Sequence, residues 1–153
     1  MNGTNLQEAL SLHTTLCSAT TSVLETMFFT EAVPVDDAQP HIEPVSCKLH
    51  AGGAVEGSFS VAIDRAALLA LGESFYGDVP TASQPFELLC EFTNMIAGST
   101  LSLYSPSNFC PLSSPQLCEM SAHLEESALP DAIHLSFVVD GGLMSIACSL
   151  RTK

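Results

Sequence analysis

Two glycine pairs, Gly52-Gly53 and Gly141-Gly142, each stand between runs of strand-forming residues. Adjacent glycines reach positive φ without a side-chain clash, which is what a tight antiparallel hairpin requires. The runs on either side are Ile42–Ala51 and Val55–Ile63 for the first pair, and Ile133–Asp140 and Leu143–Leu150 for the second. Val55, Gly57, Phe59, Val61 and Ile63 alternate with Glu56, Ser58, Ser60 and Ala62, a period of two that predicts a strand with one buried face. A further strand is expected over Leu117–Glu125. A chain with two such hairpins has to build an antiparallel sheet and cover it.

Three segments supply the cover. Over Asn5–Thr30, Leu6, Leu10, Leu16, Val23, Leu24, Met27 and Phe28 recur at steps of three and four, which predicts a long first helix. It ends before the turn-rich Val33–Pro40. A short helix is expected over Arg65–Phe75, capped by Asp64 and stopped at Gly77. After a polar turn over Asp78–Gln84, a longer helix is predicted for Pro85–Tyr104, with Pro85 suited to the first turn. Pro106, Pro111 and Pro115 then mark an irregular connection. The fold class is therefore α+β, an antiparallel-rich sheet with helices packed on it in two layers, and a single domain spans residues 1–153. Cys17–Val23 lies over Cys90–Ile96, and Ser58–Asp64 resembles Leu135–Asp140, a faint repeat of helix followed by hairpin.

Charge narrows the partners. Of 153 residues only Lys48, Arg65, Arg151 and Lys153 are basic against 17 acidic, a formal charge of -13. Nucleic acid and anionic membranes would be repelled, so a protein with locally basic surface is the better partner. Apolar residues make up 46% of the chain, enough to build a core. No basic residue precedes Lys48, no signal-type apolar core follows the first methionine, and no run reaches the roughly 18 apolar residues of a membrane span, so a cytoplasmic location is expected. Cys17, Cys47, Cys90, Cys110, Cys118 and Cys148 contain no C-x-x-C pair, and are read as buried, reduced thiols. His13, His41, His50, His123 and His134 show no H-x-x-x-H spacing, so no metal site is expected.

The functional signal lies on the helix at 85–104. On a helical wheel Leu88, Leu89, Phe92, Met95, Ile96 and Leu103 share the core side, while Glu87, Glu91, Asn94 and Gly98 share another within roughly 60°. Asn and Gly in mid-helix cost about 0.6 and about 1 kcal/mol relative to Ala. A helix chosen for stability alone would avoid both. Glu91 and Asn94, three apart, offer a carboxylate and a carboxamide together, and Gly98 leaves room for a second molecule to come close.

Cys90-Glu91-Phe92-Thr93-Asn94-Met95-Ile96-Ala97-Gly98 on a helix after a turn resembles the signature helix of the CheC/CheX/FliY family, phosphatases of the chemotaxis receiver CheY. The order of helices and strands resembles that family over nearly the whole chain. Ser18 and Thr21 stand where a second signature would place Glu and Asn, so the likeness is to the single-site CheX type. The resemblance implies a CheC-like fold, a phosphorylated CheY-like receiver as substrate, Asn94 orienting the attacking water, and Glu91 paired with the receiver's lysine. Glu87 and Gly98 would contact the partner, Glu87 departing from the Asp or Ser usual at its position. It further implies no cofactor of the chain's own, Mg²⁺ supplied in the partner's site, and a homodimer paired through its sheets. The alternative is a non-catalytic receiver-binding or flagellar-switch adaptor on the same fold. No G-x-S-x-G and no G-x-x-x-x-G-K is present, so a stand-alone hydrolase is disfavoured.

Overall fold

A computed structural model describes residues 6–78 and 81–152, with the side chains of residues 6–10 outside the description. The elements run α1 (Leu6–Phe28), β1 (Val33–Val35), β2 (Val45–Ala51), β3 (Val55–Ile63), α2 (Arg65–Tyr76), α3 (Gln84–Tyr104), β4 (Gln116–Cys118), α4 (Met120–Ser127), β5 (Ile133–Val139) and β6 (Gly142–Thr152). The periodic residues of α1 behave as their spacing predicts, with Leu16, Val23, Leu24 and Phe28 buried; Leu6 and Leu10 lie among the side chains outside the description, as does part of the turn at 78–84.

All six strands pair antiparallel in the order β1-β5-β6-β3-β2-β4. That order is a palindrome: exchanging β1 with β4, β2 with β5 and β3 with β6 reverses the list and leaves the sheet unchanged. Two helix-led halves therefore share one sheet, α1 heading the first and α3 the second. Their equivalence pairs β3 with β6, not with β5 as the likeness of Ser58–Asp64 to Leu135–Asp140 suggested. Each half also lends its short strand to the other half's edge.

The hairpins differ from each other. Val139 pairs with Gly142, so the two-residue turn is Asp140-Gly141, at φ 46° and 80°, one position earlier than the glycine pair implied. This is the primed geometry that matches the right-handed twist of the strands. The β2–β3 connection is wider, since Ala51 pairs with Gly57, and Val55 and Glu56 extend β3 past the end of β2 while still pairing with β6.

One face of the sheet carries the apolar core, in which Cys47, Leu49, Phe59, Val61, Ile63, Met144, Ile146 and Cys148 meet the buried faces of α1, α2 and α3. The other face is also covered, which the alternation in β3 did not predict. Residues 117–125, expected as a strand, contribute only Leu117 and Cys118 to β4; the chain then turns into α4, which lies across β2, β3 and β6. The inward residues of α4 are His123 and Glu126, so no apolar stripe announces a helix there.

Serines make this second layer possible, because their small side chains let α4 and the loop before β2 approach the strands closely. Ser145 Oγ donates to Gln39 Oε1 (2.8 Å), so it accepts from His123 Nε2 (2.6 Å), and His123 Nδ1 accepts in turn from Ser60 Oγ (2.6 Å). Gln39 Nε2 continues the chain to His134 Nε2 (3.1 Å), whose Nδ1 faces Asp37 (3.1 Å). Buried polar groups linked end to end in this way avoid the desolvation penalty of an unpaired one.

Asp64 does not cap α2 with its side chain. It is buried, and its two oxygens accept from the backbone N–H groups of His41, Ile42 and Leu143, each at 2.9 Å. A single carboxylate thus ties the loop before β2 to the start of β6.

Burial, aided by His134, lowers the His123 imidazole from its ordinary 6.5 to about 4. Above pH 6.5 the ring is neutral in both folded and unfolded chains, and its contribution is flat. Between pH 6.5 and 4 the unfolded chain takes up a proton that the folded one refuses, so stability falls as pH falls, by roughly 3 kcal/mol in all. Urea unfolding between pH 7 and 4.5 should show this slope in the wild type and a shallower one in His123→Gln; identical slopes would refute the assignment.

Candidate functional site

The helix α3 is held by what it buries. Leu88, Leu89, Phe92, Ile96 and Leu101 are all sealed in the core, where each contributes about 1.5–3 kcal/mol. That sum far exceeds the cost of Asn94 and Gly98 in the same helix. Pro85 sits in the first turn as its fixed φ predicts, and Phe28 packs edge-on to Phe92 from α1. Leu103, assigned to the core side by periodicity, is instead exposed, while its neighbour Tyr104 packs partly buried against the core.

On the opposite side the four stripe residues are arranged as the wheel predicts. Glu87 and Glu91 are exposed, and Asn94 and Gly98 are half-buried. The side chains of Glu87, Glu91 and Asn94 make no hydrogen bond or ion pair with another described residue. Glu87, Cys90, Glu91 and Asn94 line one wall of a groove of about 570 Å³, with Phe86 at its end, beneath the guanidinium of Arg65, 5.4 Å from the ring centre. Gly98 lies one turn beyond, and a Cβ built there meets nothing within 4 Å.

The second wall comes from the segment read as an irregular connection. Leu112, Ser113, Ser114, Pro115 and Leu117 face α3 across the groove. This segment is fixed to the edge of β2: Gly52 N–H donates to Pro111 O (3.0 Å), Ser113 N–H to His50 O (2.8 Å), and His50 N–H to Ser113 Oγ (2.9 Å). Gly53, at φ 86°, is the residue it crosses; a Cβ there would lie 2.7 Å from Phe109 O. The widened β2–β3 hairpin is thus shaped to hold the groove's far wall. Serine and proline content alone marks such a segment as loop, and only the glycine pair hinted that something docks on it.

The groove is chemically one-sided. Two carboxylates and a carboxamide stand on α3, and apolar Leu112, Pro115 and Leu117 stand opposite. Such a site takes a partner that brings a cation and some apolar surface. It can also orient a water through Asn94, which both donates and accepts. The half-buried Cys90 thiol also lines the groove, beside the hydroxyls of Ser113 and Ser114. Among the described residues no group of three or more His, Cys, Asp or Glu is placed to hold a metal, and no helix is long and apolar enough to cross a membrane.

The chain superposes over most of its length on solved CheX and CheC-like structures and shares their fold. Three solved structures place the chain there. CheX from Vibrio vulnificus superposes with a TM-score of 0.72 at 19% identity, covering 92% of this chain and 96% of that one. A CheC-like superfamily protein from Shewanella sp. PV-4 gives 0.72 at 18% identity, covering 97% and 99%. CheX in the CheX-CheY-BeF3-Mg²⁺ complex from Borrelia burgdorferi gives 0.66 at 19%, covering 90% and 96%. No protein-family model and no curated protein matches the sequence.

If the stripe is kept for contact and not for stability, relieving it should strengthen the fold. Gly98→Ala has open space for its methyl group and should raise unfolding free energy by about 0.5–1 kcal/mol, read as a higher thermal midpoint. A lowered midpoint would mean that the glycine is there for packing.

Proposed function

We propose that this chain is a CheX-like member of the CheC/CheX/FliY family and a cytoplasmic chemotaxis phosphatase, which accelerates hydrolysis of the aspartyl phosphate on a CheY-like receiver domain. The observation that carries this reading is the pairing of Glu91 with Asn94, side by side and without partners among the described residues, on the wall of an open groove. The CheX of Borrelia burgdorferi, of the same fold, has been crystallised with CheY.

An aspartyl phosphate is an activated acyl phosphate, so an auxiliary protein has only to place water in line with the phosphorus. Asn94 would do this. Its carboxamide can accept one water proton and donate to the water oxygen while adding no negative charge beside the phosphoryl group. Glu91 would pair with the receiver's lysine and fix the angle at which α3 enters, with Glu87 and Gly98 completing the contact. Mg²⁺ would arrive bound in the receiver. The net charge of -13 favours approach to the receiver's basic residues.

The test is loss of radiolabelled phosphate from purified receivers. Catalytic amounts of wild-type protein should accelerate the decay, Asn94→Ala should remove at least about 10²-fold of that acceleration, and Glu91→Ala should act chiefly on the receiver concentration needed. Unchanged decay across the receivers of the source organism would overturn the enzyme reading. Binding without turnover would favour the adaptor alternative.

We also propose that the chain forms a homodimer through its sheet. Sedimentation equilibrium at micromolar concentration should return twice the 16.1 kDa chain mass, and a monomer would refute the pairing.

A further inference from the structure

Absence of a C-x-x-C pair in the sequence suggested six independent thiols, but the fold brings two of them into contact. Cys47 on β2 and Cys90 on α3, 43 residues apart, have their Sγ atoms 3.6 Å from each other. A disulfide requires about 2.05 Å, so closure by roughly 1.5 Å would join the sheet to the helix. Cys90 immediately precedes Glu91 and lines the groove, whereas Cys47 is fully buried beneath it.

We infer that Cys90 and Cys47 form a peroxide-sensitive thiol pair, which on oxidation cross-links α3 to β2 and withdraws the Glu91–Asn94 wall from its partner. The second half of this inference rests on the function proposed above; the first half, the cross-link, does not.

The two thiols are placed for different steps. The Cys90 sulfur is half-buried at the open groove, so a small hydroperoxide reaches it first. As thiolate it attacks one peroxide oxygen, the O–O bond breaks, and Cys90 becomes a sulfenic acid while hydroxide leaves. Cys47 is the resolving thiol: its sulfur displaces the sulfenic oxygen, and its proton departs with that oxygen as water. Overall two thiols and one hydrogen peroxide give one disulfide and two waters. Burial pushes the Cys47 thiol up to about 12, partly offset by a Thr93 hydrogen bond and reinforced by Cys90 and Cys118, so Cys47 does not compete for the peroxide. In the second step the Cys47 proton passes to the sulfenic oxygen beside it as the sulfur attacks, so the nucleophile is a thiolate and the leaving group is water.

The consequence follows from position. Shortening the sulfur–sulfur distance draws on the two turns of α3 that hold Glu87, Glu91 and Asn94. A displacement on the scale of 1 Å at a water-positioning residue can cost about 10²-fold in rate.

The experiment treats the full chain with hydrogen peroxide, alkylates the remaining thiols and maps the peptides by mass. We expect a linked pair of peptides holding Cys47 and Cys90, lighter by two hydrogens and released by dithiothreitol. In Cys47→Ala, checked for folding by circular dichroism, the Cys90 sulfenic acid should persist and be trapped by dimedone; in the wild type it should not. Linkage to other cysteines, all six thiols alkylated, Cys90 over-oxidised without linkage, or equal dimedone labelling in both proteins would overturn the thiol pair. The receiver-dephosphorylation rate of the oxidised wild type should fall at least about tenfold and return on reduction. A cross-link that leaves that rate unchanged would overturn the regulatory half. A reduced protein that never accelerates dephosphorylation, yet forms the cross-link, would sink the proposed function and leave the thiol pair standing.

Discussion

Nine consecutive cross-strand pairs, from Val55 with Thr152 to Ile63 with Met144, join β3 to β6 at the centre of the sheet. From Ser58 to Ile63 on one strand and Met144 to Leu150 on the other, nearly every side chain is buried on whichever face it points to. These two strands are the seam between the halves of the chain, and the palindromic order follows once they are neighbours. β2 can then pair only outside β3, and β5 only outside β6. The edges left over accept the short strands β1 and β4. The groove inherits its geometry from this seam: α3 lies over β2 and β3 on the core face, and β4 brings the far wall alongside by pairing with β2.

The two faces of that sheet are stabilised by different physics. On the core face, aliphatic and aromatic residues exclude water without directional demands, and many alternative residues of similar volume would serve. On the other face each contact is a hydrogen bond with one geometry, from Ser60 through His123 and Ser145 to Gln39 and His134. Glu126 is less well served there: it is buried with Lys48 Nζ at 3.6 Å, and its Oε1 has no hydrogen-bond partner among the described residues. A polar layer of this kind specifies the docking of α4 more narrowly than an apolar one. It does so at some cost in stability, since paired groups gain only about 1 kcal/mol per bond over their hydration in the unfolded chain.

This difference explains which elements were legible in the sequence. Helices α1 and α3 and strands β3, β5 and β6 bury apolar residues at the helical or strand period, so periodicity finds them. The stripe of Glu87, Glu91, Asn94 and Gly98 was found because it interrupts such a pattern with residues that a helix otherwise avoids. Helix α4 buries a histidine and a glutamate, and a reading that equates burial with hydrophobicity turned its residues into a strand. Ser58 and Ser60 of β3 were placed on the unburied face for the same reason. Asp64 resembled a helix cap because it precedes α2, but its oxygens are taken by three backbone amides, two of them more than 20 residues upstream and one 79 residues downstream. Long-range polar partners leave no periodic trace, and the groove's far wall was missed on that account.

A site that offers two carboxylates and an amide on one wall cannot complete phosphoryl chemistry alone, because nothing described beside it neutralises the charge that builds on a transferring phosphoryl group. Arg65 is stacked on Phe86, which lines the groove. For the proposed chemistry the positive charge would then come from the docking partner. On the function proposed above, division of labour of this sort would turn recognition and catalysis into one event, with the carboxylates engaging the partner's cation and the amide acting only beside the partner's electrophile. It also gives an acidic chain selectivity at no cost in fold. Under that proposal a phosphorylated partner without an adjacent cation would meet Glu87 and Glu91 as like charges, and the same two residues that admit one partner would reject another.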